Sequence, residues 1–300
     1  MSVRIIIERA GPLCTIQDHG REGLLAHGIS ASGPMDRAAH RLAGALAGAA
    51  GEAGVELTRA GIALRVEQGR LRIGWAGGAF TVAINGEGQV WPGGATLAAG
   101  DRLSVTPGPR GNYGYLRFGP MLDLPMVMGS LSTSTRARLG GVEGRALAAG
   151  DVLGFVGEER AALSPSPIAL QEGPIRFVWG LHAENFAADV RQRFVEATFR
   201  VTPMMDRMGV RLADEAGVFA GASILSLVSD PILPGDIQIL GDGTPIVLMR
   251  DHQPTGGYPR IGTVISADLD RFAQMRAGDP VAFEPVSVEH AHRLLRSSLS

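Results

Sequence analysis

Ile62-Ala63-Leu64-Arg65-Val66, Leu71-Arg72-Ile73-Gly74-Trp75 and Phe80-Thr81-Val82-Ala83-Ile84 follow one another with only short, glycine-bearing breaks between them. Each run is brief, rich in β-branched or aromatic residues and bounded by turn formers, so each is predicted to be a strand. Asn85-Gly86 after the third is a strong signal for a two-residue hairpin turn, since both positions tolerate positive φ. The same pattern extends outward. Val3–Glu8 alternates as a first strand, and Gln89–Trp91, Arg102–Thr106 and Tyr113–Phe118 continue the series. Further along, Ile175–Trp179, Glu196–Val201, Ile224–Val228, Asp236–Leu240, Pro245–Met249 and Ile261–Ile265 read likewise. Helical periodicity is confined to a few places. Ala38–Gly48 carries Leu42, Ala45, Leu46 and Ala49 at helical spacing, with Pro34 suited to a first turn and Ser32 or Asp36 placed to cap it. Ala183–Val195, a segment from a capping Ser266 to Met275, and Val288–Leu299 complete the helices. The class is mainly β, two small barrels or sandwiches with peripheral helices.

The chain has 300 residues, of which 45% are hydrophobic and 19% charged, enough for two domains with a sizeable core. A formal net charge of −2 gives no electrostatic reason to expect nucleic acid or an anionic membrane as partner. The single cysteine, Cys14, has no internal disulfide partner, and no Cys/His cluster has zinc-ligand spacing. Ile5-Ile6-Ile7 is far shorter than a signal-peptide core, no run approaches a membrane span, and the expected location is the cytoplasm. All 28 basic residues are arginine. A Schiff-base lysine, a P-loop lysine and a biotinylated lysine on this chain are thereby excluded, and any side-chain cation that holds an anion is Arg or His.

An internal repeat divides the sequence. Gly11-Pro12 recurs as Gly173-Pro174, and Met35-Asp36-Arg37 with Arg41-Leu42 recurs as Met205-Asp206-Arg207 with Arg211-Leu212. Leu97-Ala98-Ala99-Gly100-Asp101 recurs as Leu147-Ala148-Ala149-Gly150-Asp151 and more loosely as Met275-Arg276-Ala277-Gly278-Asp279. Preserved order with drifting loop lengths is what a duplicated β domain leaves behind. Ala161–Pro167 has linker composition, which places the halves at 1–160 and 168–300.

Polar residues concentrate where apolar strands are interrupted. Arg250-Asp251-His252-Gln253-Pro254-Thr255-Gly256-Gly257-Tyr258-Pro259-Arg260 joins two apolar runs with eleven residues. A simple hairpin needs about 2–5. Its glycines let backbone approach a ligand or take up positive φ, and it is expected to wall an active cleft. Thr15-Ile16-Gln17-Asp18-His19-Gly20-Arg21 packs an amide, an acid, an imidazole and a guanidinium together, and Gly129–Arg136 is a run of hydroxyls ending in arginine. The alternatives for these are a solvated Asx turn and a surface loop, and for Asp36 a helix cap.

Taken together, Thr15-Ile16-Gln17-Asp18 with Gly20-Arg21, Ser32-Gly33-Pro34-Met35-Asp36, the serines of 130–135, Asp206-Arg207-Met208-Gly209 with Arg211-Leu212, and Thr255-Gly256-Gly257-Tyr258-Pro259 resemble one family across nearly the whole chain. It is the KipA-like family, also called allophanate hydrolase subunit 2 or the biotin-dependent carboxyltransferase family, which includes the C-type subunit of bacterial 5-oxoprolinase. The resemblance implies a cyclophilin-like β-barrel fold in each half and work alongside a smaller KipI-like subunit, with a LamB/YcsF-like subunit as a further partner. For 5-oxoprolinase it implies that ATP and Mg²⁺ act at the complex, phosphorylating the lactam before hydrolysis to glutamate. Two other readings are a carboxyltransferase subunit moving CO₂ from carboxybiotin, carried on another chain, to urea or a related amide, and a non-catalytic module that antagonises a kinase inhibitor. On this resemblance Asp18, Asp36, Arg37, Asp206, Arg207, His252 and Gln253 are the candidate catalytic residues. Gln17, Ser132, Thr255, Gly256, Gly257, Tyr258 and Arg260 are the candidates for contact with substrate or ATP. Arg37, Arg207 and Arg260 suit anions, and Asp18, Asp36 or Asp206 suit Mg²⁺ or the orientation of an arginine. The family's loop usually continues Gly-Gly-Tyr-Pro-Lys; Arg260 stands there instead, a cation that does not deprotonate to act as a base. His252 likewise takes the place of a usual arginine.

Overall fold

A computed structural model describes residues 3–163, 172–221 and 227–299. The chain divides into two compact units, Met1–Gly23 with Ala31–Ala169 and Leu24–Ser30 with Leu170–Ser300. Strands dominate both.

In the first unit the strands are β1 (Val3–Ala10), β2 (Thr15–Gln17), β3 (Gly54–Leu57), β4 (Ile62–Gln68), β5 (Arg70–Ile84), β6 (Glu87–Gln89), β7 (Gly93–Ala98), β8 (Arg102–Phe118), β9 (Met121–Leu122) and β10 (Val152–Val156). They form a ten-stranded sheet in the order β2-β3-β8-β4-β1-β10-β9, with β5 paired to β6, β7 and β8. Two expected pairs of short strands are continuous: 71–75 and 80–84 belong to β5, and 102–106 and 113–118 to β8. Glycine and proline in the middle of each read as breaks in the sequence. The structure absorbs them as bulges, with register shifts on either side of Ala79 and Gly77 at φ +119. The Asn85-Gly86 turn joins β5 to β6, with both residues at positive φ. Helix α1 (Arg37–Ala47) turns Ala39, His40, Ala43, Gly44 and Ala47 inward. Its backbone lies so close to β5 that a Cβ on Gly74 would meet the Ala43 carbonyl oxygen at 2.2 Å. The core beneath is largely aliphatic, built on Ile5, Ile7, Leu64, Val66, Ile73 and Leu116.

The second unit is a closed barrel of seven strands. These are β11 (Ile175–Trp179), β12 (Thr198–Met205), β13 (Gly209–Ala213), β15 (Asp236–Ile239), β16 (Pro245–Leu248), β18 (Arg260–Val264) and β19 (Pro280–Pro285). A separate two-stranded ribbon pairs β14 (Asp230–Pro231) with β17 (Thr255–Gly256). Phenylalanine fills this core: Phe194 stacks on Phe283 at 5.1 Å and lies 5.3 Å from Phe177 and 5.6 Å from Phe199. Helices α2 (Ala188–Glu196), α3 (Ser266–Ala273) and α4 (Val288–Leu299) lie outside the strand order. Helix α2 starts later than its periodicity suggests, because Ala183–Asn185 forms a separate 3-10 turn. Ser266 is the first helical residue of α3 rather than its cap, a position occupied by Ile265. The strand expected at 224–228 and the linker at 161–167 fall partly outside the described residues.

The Gly-Asp repeat is a recurrent turn. In Ala98–Asp101, Ala148–Asp151 and Arg276–Asp279 the aspartate carboxylate accepts the amide of the first turn residue at 2.8 Å, with the glycine at φ +94 to +97. A fourth copy, Leu233–Asp236, closes the same way at 2.9 Å and carries no sequence likeness beyond its Gly-Asp. Met-Asp-Arg does not share this regularity. Met35-Asp36-Arg37 enters α1, whereas Met205 ends β12 and Asp206-Arg207 lie in the turn between β12 and β13.

Candidate active-site residues

In the first unit Asp18, at the end of β2, is a hub for the serine-rich loop. Its carboxylate accepts from Ser130 Oγ at 2.5 Å, Ser132 Oγ and Leu131 N at 2.6 Å and Gly20 N at 2.9 Å. Burial raises the Asp18 pKa, but these donors outweigh it and hold the group below its ordinary value. Gln17 is engaged just as fully: its amide donates to Thr15 Oγ1 and the Thr133 carbonyl and accepts from Gly33 N. Gln17, Asp18 and Ser132 are thus brought together. Asp36 takes the capping role, accepting Ala39 N at 2.9 Å. Arg37 is half-buried, and its guanidinium has no hydrogen bond or ion pair among the described residues.

Two buried arrangements in this unit are not apparent from the sequence. Asp36 N donates to Tyr115 Oη at 2.7 Å, and Tyr115 donates in turn to Glu56 Oε2 at 2.8 Å, which also accepts Met35 N. Burial, then Glu56 and Asp36, push the Tyr115 phenol well above its usual range. His40 contacts the Gln17 carbonyl through Nε2 at 3.2 Å, and Arg117 Nη1 reaches Nδ1 at 3.1 Å. A carbonyl only accepts and a guanidinium only donates, so the proton sits on Nε2. Burial, then Arg117, drive the His40 pKa well below its ordinary value and keep the ring neutral. A charged residue inside an apolar strand, Glu56 in β3 or Arg117 in β8, was the available signal.

In the second unit most charges of the long loop are paired. Arg207 binds Asp251 side-on at 2.8 and 3.0 Å, and Asp251 N donates to the Arg207 carbonyl at 2.7 Å. Arg250 meets Asp270 at 3.1 Å. Arg260 bridges Asp236 at 3.2 Å and Asp230, while Thr263 Oγ1 donates to Asp236 at 2.6 Å. Asp206 lies outside this network and accepts the amides of Met208 and Gly209. Residues 255 and 256 form β17, and Leu227 N donates to the Gly257 carbonyl at 2.6 Å. The two glycines are needed for packing rather than for positive φ. A Cβ on Gly256 would lie 2.4 Å from Gln238 Nε2, and one on Gly257 2.9 Å from the Leu227 carbonyl oxygen.

What the loop leaves unengaged are a few surface side chains and one ring nitrogen of His252, a residue that is itself buried at 2% exposure. Thr255 and Tyr258 are exposed and Gln253 is half-buried. His252 Nδ1 lies 2.6 Å from the Gln253 carbonyl and must donate to it, which leaves Nε2 as an acceptor with no partner among the described residues. Burial lowers the His252 pKa against the opposing pull of the Gln253 carbonyl, Asp236 and Asp251, so the ring is neutral near pH 7. Ser30 Oγ braces the loop by donating to the His252 carbonyl at 2.6 Å. A neutral imidazole with a fixed tautomer and an open Nε2 is equipped to take a proton.

Among the described residues no group of three or more His, Cys, Asp or Glu side chains is placed to hold a metal ion. The carboxylates of Asp18, Asp36 and Asp206 accept from N–H or O–H donors, so the geometry does not fit resident Mg²⁺ at these groups without breaking those bonds.

The chain matches the family described as Carboxyltransferase domain, subdomain A and B, over residues 27–285. It is 34% identical over 291 residues to the C-type subunit of 5-oxoprolinase from Escherichia coli (strain K12), covering 95% of this chain and 92% of that protein. Against the corresponding 5-oxoprolinase subunit from Haemophilus influenzae it is 34% identical over 292 residues, covering 95% and 92%. The crystal structure of the K. lactis urea amidolyase superposes with a TM-score of 0.88 at 26% identity over 98% of this chain. The chain spans only 19% of that much longer protein.

Proposed function

This chain belongs to the family of the carboxyltransferase domain, subdomain A and B, and from that premise we propose that it is the C-type subunit of a 5-oxoprolinase. The observation that carries the reading is near end-to-end identity of 34% with a relative of that name, matched over 92% of the relative's own length. In this reading the chain works in a multi-subunit complex with a KipI-like subunit and a LamB/YcsF-like subunit. The γ-phosphoryl group of ATP passes to the lactam oxygen of 5-oxoproline, water attacks the activated carbonyl carbon, the ring C–N bond opens and phosphate leaves, giving glutamate. Catalysis of such steps rests on holding developing charge and on positioning a weak nucleophile.

The residues suited to these tasks are those the fold has not already engaged. His252 Nε2 is open and neutral and is assigned the proton of the attacking water. Gln253, Thr255 and Tyr258 offer an amide and two hydroxyls toward a small polar amide. Arg37 supplies a cation with no carboxylate partner among the described residues, whereas Arg207 and Arg260 act by holding the loop. Co-expression with both partners and assay of 5-oxoproline-dependent phosphate and glutamate release tests the assignment.

A second reading, carboxyl transfer to urea or a related amide, is favoured by the family description and by the fold of the K. lactis urea amidolyase. With no lysine on this chain, carboxybiotin would arrive on another protein. Biotin-dependent carboxylation of urea by the complex, without 5-oxoproline turnover, would select it.

A further inference from the structure

At the C-terminal end of α1 the first unit holds a cavity of about 240 Å³ that none of the residues assigned above lines. Its charged lining is Arg41, Arg117, Arg160 and Glu52, with Ala45 and Leu163 among the apolar walls. Three cations face one anion. Arg117 is only 3% exposed. Its Nη2 donates to the Gly51 carbonyl at 2.6 Å and its Nη1 to His40, both neutral groups, and its Nε has no partner among the described residues. The nearest carboxylate is Glu52 at 3.8 Å, which is 61% exposed and drawn toward His19 at 2.8 Å. Burial pulls the Arg117 pKa down to about 10, against the opposing effect of Glu52 and Asp18, as befits a buried charge with incomplete compensation.

Neither the Arg41 nor the Arg160 side chain has a hydrogen bond or ion pair among the described residues, and residues 164–171 contain no acid. A helix C-terminus ordinarily repels an anion, but here three of its carbonyls are occupied. Arg160 N donates to the Gly48 carbonyl at 2.7 Å, Leu163 N to that of Ala45 at 3.0 Å and Arg72 Nε to that of Leu46 at 2.8 Å. We propose that this cavity binds a small oxyanion, a carboxylate or a phosphate group, between Arg41, Arg117 and Arg160, with Glu52 as the internal competitor that leaves when the ligand enters. Guanidinium groups around a pocket this small match the planar carboxylate and the phosphate oxygens alike.

Anion binding here is independent of the proposed 5-oxoprolinase role, because the full chain alone is titrated. Calorimetry with sodium phosphate and, separately, sodium acetate, at ionic strength fixed with chloride, is expected to show saturable binding of at least one, and the arm that binds identifies the chemistry. Arg41→Ala/Arg160→Ala alters two exposed side chains, so its melt should be unchanged while affinity falls about tenfold. Glu52→Gln removes the competitor and should tighten binding several-fold. No saturable binding of either anion, or equal affinity in the wild type and the double variant, would overturn the proposal.

Discussion

In the first unit a buried carboxylate, Asp18, is held by hydroxyls and amides, whereas in the second the buried carboxylates Asp251 and Asp236 are held by guanidinium groups. The two arrangements tie down loops of similar polarity by different physics. Around Asp18 one charge is solvated by neutral dipoles, and each donor is replaceable by a modest rearrangement. Around Asp251 two desolvated charges face each other side-on, and removing either takes that charge partner from the other. The difference also separates the candidate residues into those that fix the loops and those left available, His252, Gln253, Tyr258 and Arg37.

The largest effect is therefore expected at Asp251→Ala, which leaves the Arg207 guanidinium, only 7% exposed, without its side-on partner. Denaturant unfolding should show a loss of about 3–5 kcal/mol, and Arg207→Met/Asp251→Leu should recover most of it. A loss below about 1 kcal/mol for Asp251→Ala would erase the contrast with the first unit. Asp18→Asn should cost less, about 1.5–3 kcal/mol, since an amide keeps one acceptor but turns its NH₂ either toward Leu131 N or toward the donors of Ser130, Ser132 and Gly20.

Acid separates the groups by window. His40 and His252 have folded-state pKa values below the ordinary 6.5, so their contribution to stability is complete above about pH 6.5 and is lost as pH falls below it, when only the unfolded chain binds the proton. Asp18, lowered from 3.8, contributes above that value and loses its share only as pH drops further, through its folded-state pKa. Unfolding measured from pH 7 to pH 5 should therefore flatten in His40→Gln and keep its slope in Asp18→Asn. The opposite assignment of slopes would break the comparison. Smallest of all is Tyr258→Phe, an exposed hydroxyl whose loss should change stability by less than about 0.5 kcal/mol while lowering turnover of the complex.

The sequence carried the mainly β class because strand periodicity, turn glycines and the Asn85-Gly86 signal are local. It split β5 and β8 because a bulge and a chain break look alike until the partner strand is known. The Gly-Asp repeat was legible as a motif, yet its fourth copy at Leu233–Asp236 was not, since only the turn geometry and not the flanking alanines recurs. The loop from Arg250 to Arg260 stood out by its chemistry. What no local pattern revealed is that its charges are matched by Arg207, Asp230, Asp236 and Asp270, which lie 20 to 44 positions away along the chain. His40 and Arg117, 77 positions apart, were hidden for the same reason.

The most direct test of the account is 5-oxoproline-dependent release of phosphate and glutamate by the co-expressed complex, compared between wild type and His252→Ala. Turnover is expected in the wild type, with a loss of about 100-fold or more in the variant and assembly of the complex retained. A wild-type complex that releases neither product, or a His252→Ala complex with full activity, would contradict it.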